Sequence, residues 1–511
     1  SAASDVYKRQ DFTSLLLSNP IWSLLPDIVL LCLLAAALVV DLLFQEKKAP
    51  SAVEGVTLIG MVLVFTVQLI VFLSTLYIGK PLFAYGTMVI NDGLSNFAKL
   101  TMYVLSFLGL VYAKQYLKQQ GIFRSEYYLL VLFALLGMNV MVSSENYILL
   151  FIGLELLSLA LYAFIAIKGN CVIATEAALK YFVLGSLASG ILLFGISMIY
   201  GASSSVDLFT VAERSMSMET GRRVLLLLGV VFVVVGICFK FGAAPFHMWV
   251  PDVYAGAPTS VTLIISTAPK IAVVIFAYRI LWQSLGIHFI HWSLMLQLIA
   301  VISLLMGNIA AVLQTNVKRM LGYSTVAHMG FVILGLAANQ EAAGSGISSS
   351  GFISAFFYAL TYGAMSAVAF GVLVAVSKKG KEVNTLQDLA GLNRLHPLLA
   401  FLMLLTLFSM AGIPPLLGFY AKFYVIYTMV SLGWIEISIF AVVMSLIGAF
   451  YYLRVVKAMY FDVPISDEEA EKVDFTNIGK VLLTINALVL LVLGIFPTPL
   501  VRLCQYVFQV S

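Results

Sequence analysis

Charge is what this sequence has least of. Asp, Glu, Lys and Arg make up 11% of its 511 residues, against about 25% in an ordinary soluble domain, while 61% are apolar and mean hydropathy is +1.02. A chain so composed cannot keep a water-facing surface. Cysteine is also scarce. Cys32, Cys171, Cys238 and Cys504 lie far apart with no CxxC or Cys/His spacing, which argues against an iron–sulfur cluster, a zinc site or a disulfide framework. The net charge of +4 comes from loop lysines and arginines rather than a basic face, so nucleic acid is not an implied partner. Neither a Gly-rich phosphate loop, a metal-ligand cluster nor a nucleophile elbow occurs, and no redox or hydrolytic chemistry is assignable to the chain itself. The polar opening SAASDVYKRQ lacks the apolar core of a signal peptide and is expected to be an extension without a function.

What fills the chain instead is one apolar run after another. About 20 apolar residues in a helix cross a roughly 30 Å hydrocarbon core. With no water at that depth, every backbone N–H and C=O must be satisfied within its own element, which selects helices. Windows of about 19 residues place spans near 22–44, 53–78, 92–113, 127–143, 146–167, 175–200, 224–248, 258–282, 292–313, 320–338, 351–376, 397–430, 434–460 and 477–500. The expected fold class is an all-α polytopic membrane protein of about 14 transmembrane helices. An even number of spans puts both termini on one side. The loops between spans 1 and 2, 3 and 4 and so on carry sixteen Lys and Arg, Lys318 among them, against eight on the other side, Arg279 among those. The positive-inside rule then leaves both termini outside the cytoplasm, with the cell inner (plasma) membrane favoured over an organellar one.

Two spans are interrupted. FKFGAAPFHMW at 239–249 and FSMAGIPPLLGFYAKFY at 408–424 set Gly and Pro inside helical stretches, and proline removes an intrahelical hydrogen bond while clashing one turn back. A break at bilayer depth persists only where it is buried in protein or lines a wet cavity; a packing kink is the plainer alternative. The breaks fall five spans apart, in spans 7 and 12. The spans before them, ALKYFVLGSLASGILLFG at 178–195 and AFFYALTYGAMSAVAFG at 355–371, share small residues and tyrosines. An odd offset makes such units inverted, as in many ion transporters. The expected units are an extension at 1–20, spans 1–3 at 21–126, a first inverted repeat at 127–282 (spans 4–8), a second at 292–460 (spans 9–13), and a loop with span 14 at 461–511.

Against this background the charges at depth stand out. Glu155 lies mid-span in NYILLFIGLELLSLALYAF, and Lys270 is equally central in SVTLIISTAPKIAVVIFAY. A central charge costs roughly 2.5–3.5 kcal/mol to insert, so such residues face a bundle interior and usually mark a pathway. Lys240 precedes the first break and Lys422 follows the second. Lys180, a few residues inside span 6, is either a further member or a lysine that snorkels to the interface; the same choice applies to Lys99. Lysine suits proton transfer because burial favours its neutral form, whereas a nearby carboxylate favours the charged one. A Glu155–Lys240 pair would thus hold a proton when associated and release it when separated, with Lys270 and then Lys422 receiving it in turn. His328, in GYSTVAHMGF, titrates nearer neutrality and is either a relay or a hydrogen-bonded core residue. His247, beside Asp252 in PFHMWVPDVYAGAP, reads more as a loop anchor than as a carrier.

These segments resemble a known family. GLELLSLALY, EAALKYFVLGS, FKFGAAPFHMWVPDVYAGAPTSV, TAPKIAV, KRMLGYSTVAHMGF, LAGLNRLHP, FSMAGIPPLLGFYAKFYV and YYLRVVKAMYF are similar, in the same order, to segments of the antiporter-like membrane subunits of proton-pumping NADH:quinone oxidoreductase (respiratory complex I). Within that family the chain resembles the N type. The M type carries a glutamate where Lys422 stands, and the L type is longer, with a lateral amphipathic helix. The resemblance implies fourteen helices, inverted repeats, breaks in spans 7 and 12, and proton-translocation roles for Glu155, Lys240, Lys270 and Lys422; Lys180, His328 and His247 are possible relays on the reading of the residues alone. It also implies that NADH, FMN, iron–sulfur clusters and quinone belong to partner subunits, with no cofactor or metal on this chain. The runner-up is a subunit of an Mrp-type cation/proton antiporter; a passive scaffold is a third class, disfavoured because a scaffold does not need mid-membrane lysines.

Overall fold

The computed structural model describes residues 20–44, 48–339, 350–463 and 475–510. The polar stretch 1–10 and the loop charges Lys47 and Lys472 lie outside them. Among the described residues, thirteen helices are long and apolar enough to cross a membrane. In chain order, spans 1 to 7 begin as Pro20–Leu43, Ala49–Ile78, Gly93–Gln119, Ser125–Val142, Tyr147–Ile165, Val172–Ser203 and Thr220–Phe241. Spans 9, 10, 11, 13 and 14 are Phe289–Val312, Val317–Ala337, Ser350–Val376, Ile435–Phe461 and Asn477–Ile495. Span 12 is two 15-residue halves, Pro397–Ala411 and Leu417–Ser431. Each is about 22 Å long at 1.5 Å per residue, too short to cross alone. Spans 8, 10 and 11 are almost wholly buried and form the centre, whereas spans 1, 2 and 14 expose most of their surface.

Small residues set how closely neighbours approach, as expected where lipid gives helices no hydrophobic reason to associate. A Cβ on Gly137 of span 4 would lie 2.5 Å from Leu157 N, and one on Gly153 of span 5 would lie 2.7 Å from Met141 N. Both meet backbone, which cannot swing aside. Gly153→Val is therefore expected to destabilise by at least about 1–3 kcal/mol, the usual range for overpacking. It should cut the amount of folded chain in the membrane severalfold by immunoblot; wild-type accumulation would contradict this packing.

Both foreseen breaks are present and built alike. Span 7 stops at Phe241, where Gly242 turns left-handed (φ 75°) and its N–H bonds to Cys238 O and Phe239 O; the chain resumes as Trp249–Gly256. Span 12 stops at Ala411, where Gly412 (φ 88°) bonds to Phe408 O and Ser409 O. Left-handed φ is what glycine adopts without a Cβ penalty.

Other features were not foreseen. Span 8 is itself interrupted at Thr267 (φ −108°, ψ −97°), between Thr259–Ser266 and Ala268–Ala277, and it ends in a π-helical turn, Tyr278–Ser284. A hairpin pairs Leu82–Ala84 with Val89–Asn91, and a short helix covers Leu208–Ser215. Span 14 ends at Ile495 rather than at 500, because Pro497 and Pro499 prevent continuation; Thr498–Gln509 starts a separate helix.

Candidate functional site

Three spans meet at the first charged centre. The Glu155 carboxylate of span 5 accepts a hydrogen bond from Ser189 Oγ of span 6. Lys240, two residues before the break in span 7, donates from Nζ to Ser158 Oγ at 2.8 Å and to Ser189 Oγ at 3.3 Å. The expected carboxylate–ammonium pair is thus joined through a serine. Ser189 donates to one and accepts from the other, which gives a proton a hydroxyl to pass through.

Lys270 lies on the second half of span 8 and points at the end of span 7. Its Nζ donates to Phe241 O at 2.9 Å and to Lys240 O at 3.3 Å, and sits 5.2 Å from the Trp249 ring centroid. The last carbonyls of a helix have no intrahelical partner, and the macrodipole makes that end favourable for a cation. The break therefore creates the ammonium's binding site. A cavity of about 20 Å³ lies between Lys240 and Lys270, lined also by Ser158, Tyr181, Trp249 and Pro269; it is large enough for one water molecule.

Lys422 repeats the construction at the second break. Its Nζ donates to Ala411 O, the last residue of the first half of span 12, at 2.9 Å, and to Ser445 Oγ of span 13 at 2.8 Å. The Phe331 ring lies 5.6 Å away. One turn earlier on span 10, His328 is buried with both ring nitrogens engaged, Nδ1 with Tyr358 OH at 2.8 Å and Nε2 with Tyr452 OH at 2.9 Å. Tyr452 OH meets Ser324 Oγ at 2.5 Å. Spans 10, 11, 12 and 13 thus enclose a lysine, an imidazole and a set of hydroxyls.

Not every sequence candidate joins this series. Lys180 is half exposed, paired with Glu176 at 2.8 Å and Asp252 at 2.9 Å, and Arg319 holds the other Asp252 oxygen at 2.9 Å. These groups line an open cavity of about 540 Å³ that also takes in Lys168, Lys318 and Glu382. Lys318, counted above as a loop charge, is buried and bonds to Glu382 at 2.8 Å and to Ala257 O at 2.8 Å. Burial raises the Glu382 carboxyl, but Lys318 outweighs it and holds the group below the usual carboxylate range. His247 is buried, its carbonyl accepts from Val250 N at 2.9 Å, and its ring lies 6.2 Å from Tyr323.

Lys99 does not snorkel. It is buried and paired with Asp27 of span 1 at 2.8 Å, and Asn139 Nδ2 donates to the other Asp27 oxygen at 2.8 Å. The reading of Arg279 as a loop charge is likewise overturned. Its side chain is 0% exposed in the π-helical turn, with Nη2 2.6 Å from Asp92 Oδ2 and Nη1 2.8 Å from Glu145 Oε1, both carboxylates also 0% exposed. The partners come from 187 and 134 residues earlier in the chain, from the start of span 3 and the turn after span 4, so sequence spacing carried no sign of them.

A transmembrane family model, that of NADH:quinone oxidoreductase and the Mrp antiporters, matches residues 144–448. NADH-quinone oxidoreductase subunit N of Neisseria gonorrhoeae is 50% identical over 480 residues, covering 94% of this chain and 96% of the relative. This chain belongs to the NADH-quinone oxidoreductase subunit N family. Among solved structures, a chain of respiratory complex I from Thermus thermophilus matches with TM-score 0.76 and 30% identity, over 93% of this chain and 98% of that one. A chain of the Mrp complex from Dietzia sp. matches with TM-score 0.81 and 20% identity over 95% and 97%, which shows the shared fold alone. Membership in the subunit N family accounts for the helical membrane architecture.

Proposed function

We propose that the chain is a membrane-arm subunit of an NADH:quinone oxidoreductase and carries protons across the membrane, driven by electron transfer from NADH to quinone in its partners. One observation carries the proton role. Lys270 and Lys422 each hold an ammonium against the carbonyl end of a broken helix, and Lys240 is joined to Glu155 through Ser189. Such sites bind the charged lysine through contacts that a small movement of the half-helix removes, after which burial favours the neutral amine. Glu155, Ser189, Lys240, Lys270, His328 and Lys422 form the proposed series. Lys180 lines the open charged cavity and would act, if at all, before the series, and His247 is kept as a possible relay beside the first break.

The remaining readings rest on the same footing. NADH, FMN, the iron–sulfur clusters and quinone are assigned to partner subunits, with other membrane and peripheral subunits as neighbours. The inverted repeats at 127–282 and 292–460 are supported by the like construction of the two breaks. Both termini are placed outside the cytoplasm, in the inner (plasma) membrane; removing the buried Arg279 and Lys318 from the loop charges leaves the bias of the rest unchanged in direction.

Glu155→Ala and Lys240→Ala, each in the assembled complex reconstituted into vesicles, are expected to lower protons moved per quinone reduced while NADH oxidation continues. A wild-type ratio in both would refute the series. The Mrp-type alternative makes a different prediction, sodium/proton exchange without co-purifying NADH-oxidising subunits.

A further inference from the structure

The buried triad on the terminal face has a charge imbalance. Asp92 caps the start of span 3, its side chain accepting from Ser95 N at 2.7 Å. Glu145 sits in the turn between spans 4 and 5. Its backbone is tied on both sides, its N–H donating to Met88 O of the hairpin at 2.9 Å and its carbonyl accepting from Leu208 N at 3.1 Å. Arg279 reaches between them, and all three side chains are 0% exposed. Two carboxylates against one guanidinium leave one negative charge uncompensated, and an unpaired buried charge costs several kcal/mol. Like charges that share a site resolve this by keeping one carboxyl protonated. Asp92 has the firmer hold on its charge, since it accepts a backbone N–H and Arg279 together. Glu145, by contrast, is held through side chains, those of Arg279 and Gln283.

We infer that Glu145, clamped between Arg279 and the hairpin Leu82–Asn91, is a proton-holding site of this chain on the face where span 4 ends, the last group a transported proton occupies before leaving. The inference rests on the proton-carrying role proposed above. Release of the proton from Glu145 leaves two carboxylates on one arginine, so taking up the next proton restores the lower-energy state. Arg279 stands nine residues beyond Lys270, about 13.5 Å along the same span at 1.5 Å per residue. A shift of the second half of span 8 that moves Lys270 off the span 7 carbonyls therefore also moves the guanidinium that sets Glu145's charge. The interruption at Thr267 and the π-helical turn at its two ends are the irregular points at which such a segment could move; π-turns inside helices recur at functional sites.

The groups facing Glu145 are Arg279 from span 8, Asp92 from span 3 and Asp207 from the start of Leu208–Ser215, with the Gln283 amide beside Arg279. His288, Arg223 and His291 form a neighbouring group on the same face. Burial pushes the Glu145 carboxyl up, to about 7, against the opposing pull of Arg279. The proton is then held below neutrality and lost as pH rises through that value.

The test is infrared titration of the assembled complex between pH 5 and 9, with wild type, Glu145→Gln and Asp92→Asn compared. The expected result is a protonated-carboxyl band with a midpoint near pH 7 that is absent in Glu145→Gln and retained, with a lower midpoint, in Asp92→Asn. Protons moved per quinone reduced should fall in Glu145→Gln to the level of Lys270→Ala. Glutamine keeps the shape and a carbonyl for Arg279, and Glu145→Asp, which keeps an ionisable carboxyl, should restore both the band and the ratio if Glu145→Gln assembles poorly. A band that survives Glu145→Gln overturns the inference, as does loss of the band with wild-type pumping. If Lys270→Ala itself pumps like wild type, the failure lies instead with the proposed series.

Discussion

Replacing Arg279 with alanine is expected to cost more stability than any other single change in this chain. The guanidinium is the sole cation paired with Asp92 and Glu145 among the described residues, and all three groups are fully buried. Removing one partner of a buried ion pair costs about 3–5 kcal/mol, because the partner's charge stays behind without compensation. Here the Asp92 carboxylate stays behind, with the Glu145 carboxyl buried beside it. Measured against total stabilities of about 5–15 kcal/mol, that loss should reduce the chain in the membrane by an order of magnitude, as read by immunoblot of the isolated complex. Three comparisons identify the cause. Arg279→Lys should be intermediate, since an ammonium has no planar fork to engage two carboxylates at once. The neutral combination Asp92→Asn, Glu145→Gln, Arg279→Ala should recover most of the lost protein. Detergent-purified Arg279→Ala should also be relatively more stable at low pH, where both carboxyls take up protons and the repulsion disappears. Wild-type accumulation of Arg279→Ala would show that the triad contributes little to holding spans 3, 4 and 8 together.

The same triad shows where sequence reading reaches its limit in this chain. Span positions were legible to within a few residues because hydrocarbon thickness and backbone satisfaction leave the sequence few choices. The breaks in spans 7 and 12 were legible because Gly and Pro act on their immediate neighbours. The interruption of span 8 was only half legible: Pro269 marks its neighbourhood, yet the break falls at Thr267, whose identity gives no warning. Charge was legible as expense but not as location. Lys99 could be read as an interface lysine, and Lys318 and Arg279 as loop charges, since their partners Asp27, Glu382, Asp92 and Glu145 lie 64 to 187 residues away. For Lys180 the sequence left a member of the series and a snorkelling lysine open, and its half-exposed pairing with Glu176 and Asp252 decides against the buried series. For Glu155 and Lys240 the sequence pointed to a direct pair; the intervening Ser189 could not be read from it, because serine is common in such spans and only packing brings this one between them.

The largest expected effect on transport is at Lys270, and the substitution that separates its possible roles is Lys270→Arg. Two functions coincide in the ammonium. It neutralises the carbonyl end of the first half of span 7 by bonding to Phe241 O and Lys240 O, which is structural, and by the proposal it gives up a proton when that contact is broken. Arginine can do the first but not the second, because its guanidinium does not deprotonate in proteins. Lys270→Met removes both functions while keeping a similar length. Loss of a positioned proton-transfer group slows a transfer step by about 10²- to 10⁴-fold, so both variants should stop transport through this chain on the timescale of turnover. They should differ in abundance, with Lys270→Arg assembling better than Lys270→Met because the helix end stays capped. The measurement is protons moved per quinone reduced by reconstituted complex, with the amount of assembled complex determined in the same preparation. A Lys270→Arg complex that pumps like wild type would assign the lysine to capping alone. Because Lys422 caps Ala411 in the same manner, the same arginine test applies there, and wild-type pumping in both would remove the two broken helices from the proton path.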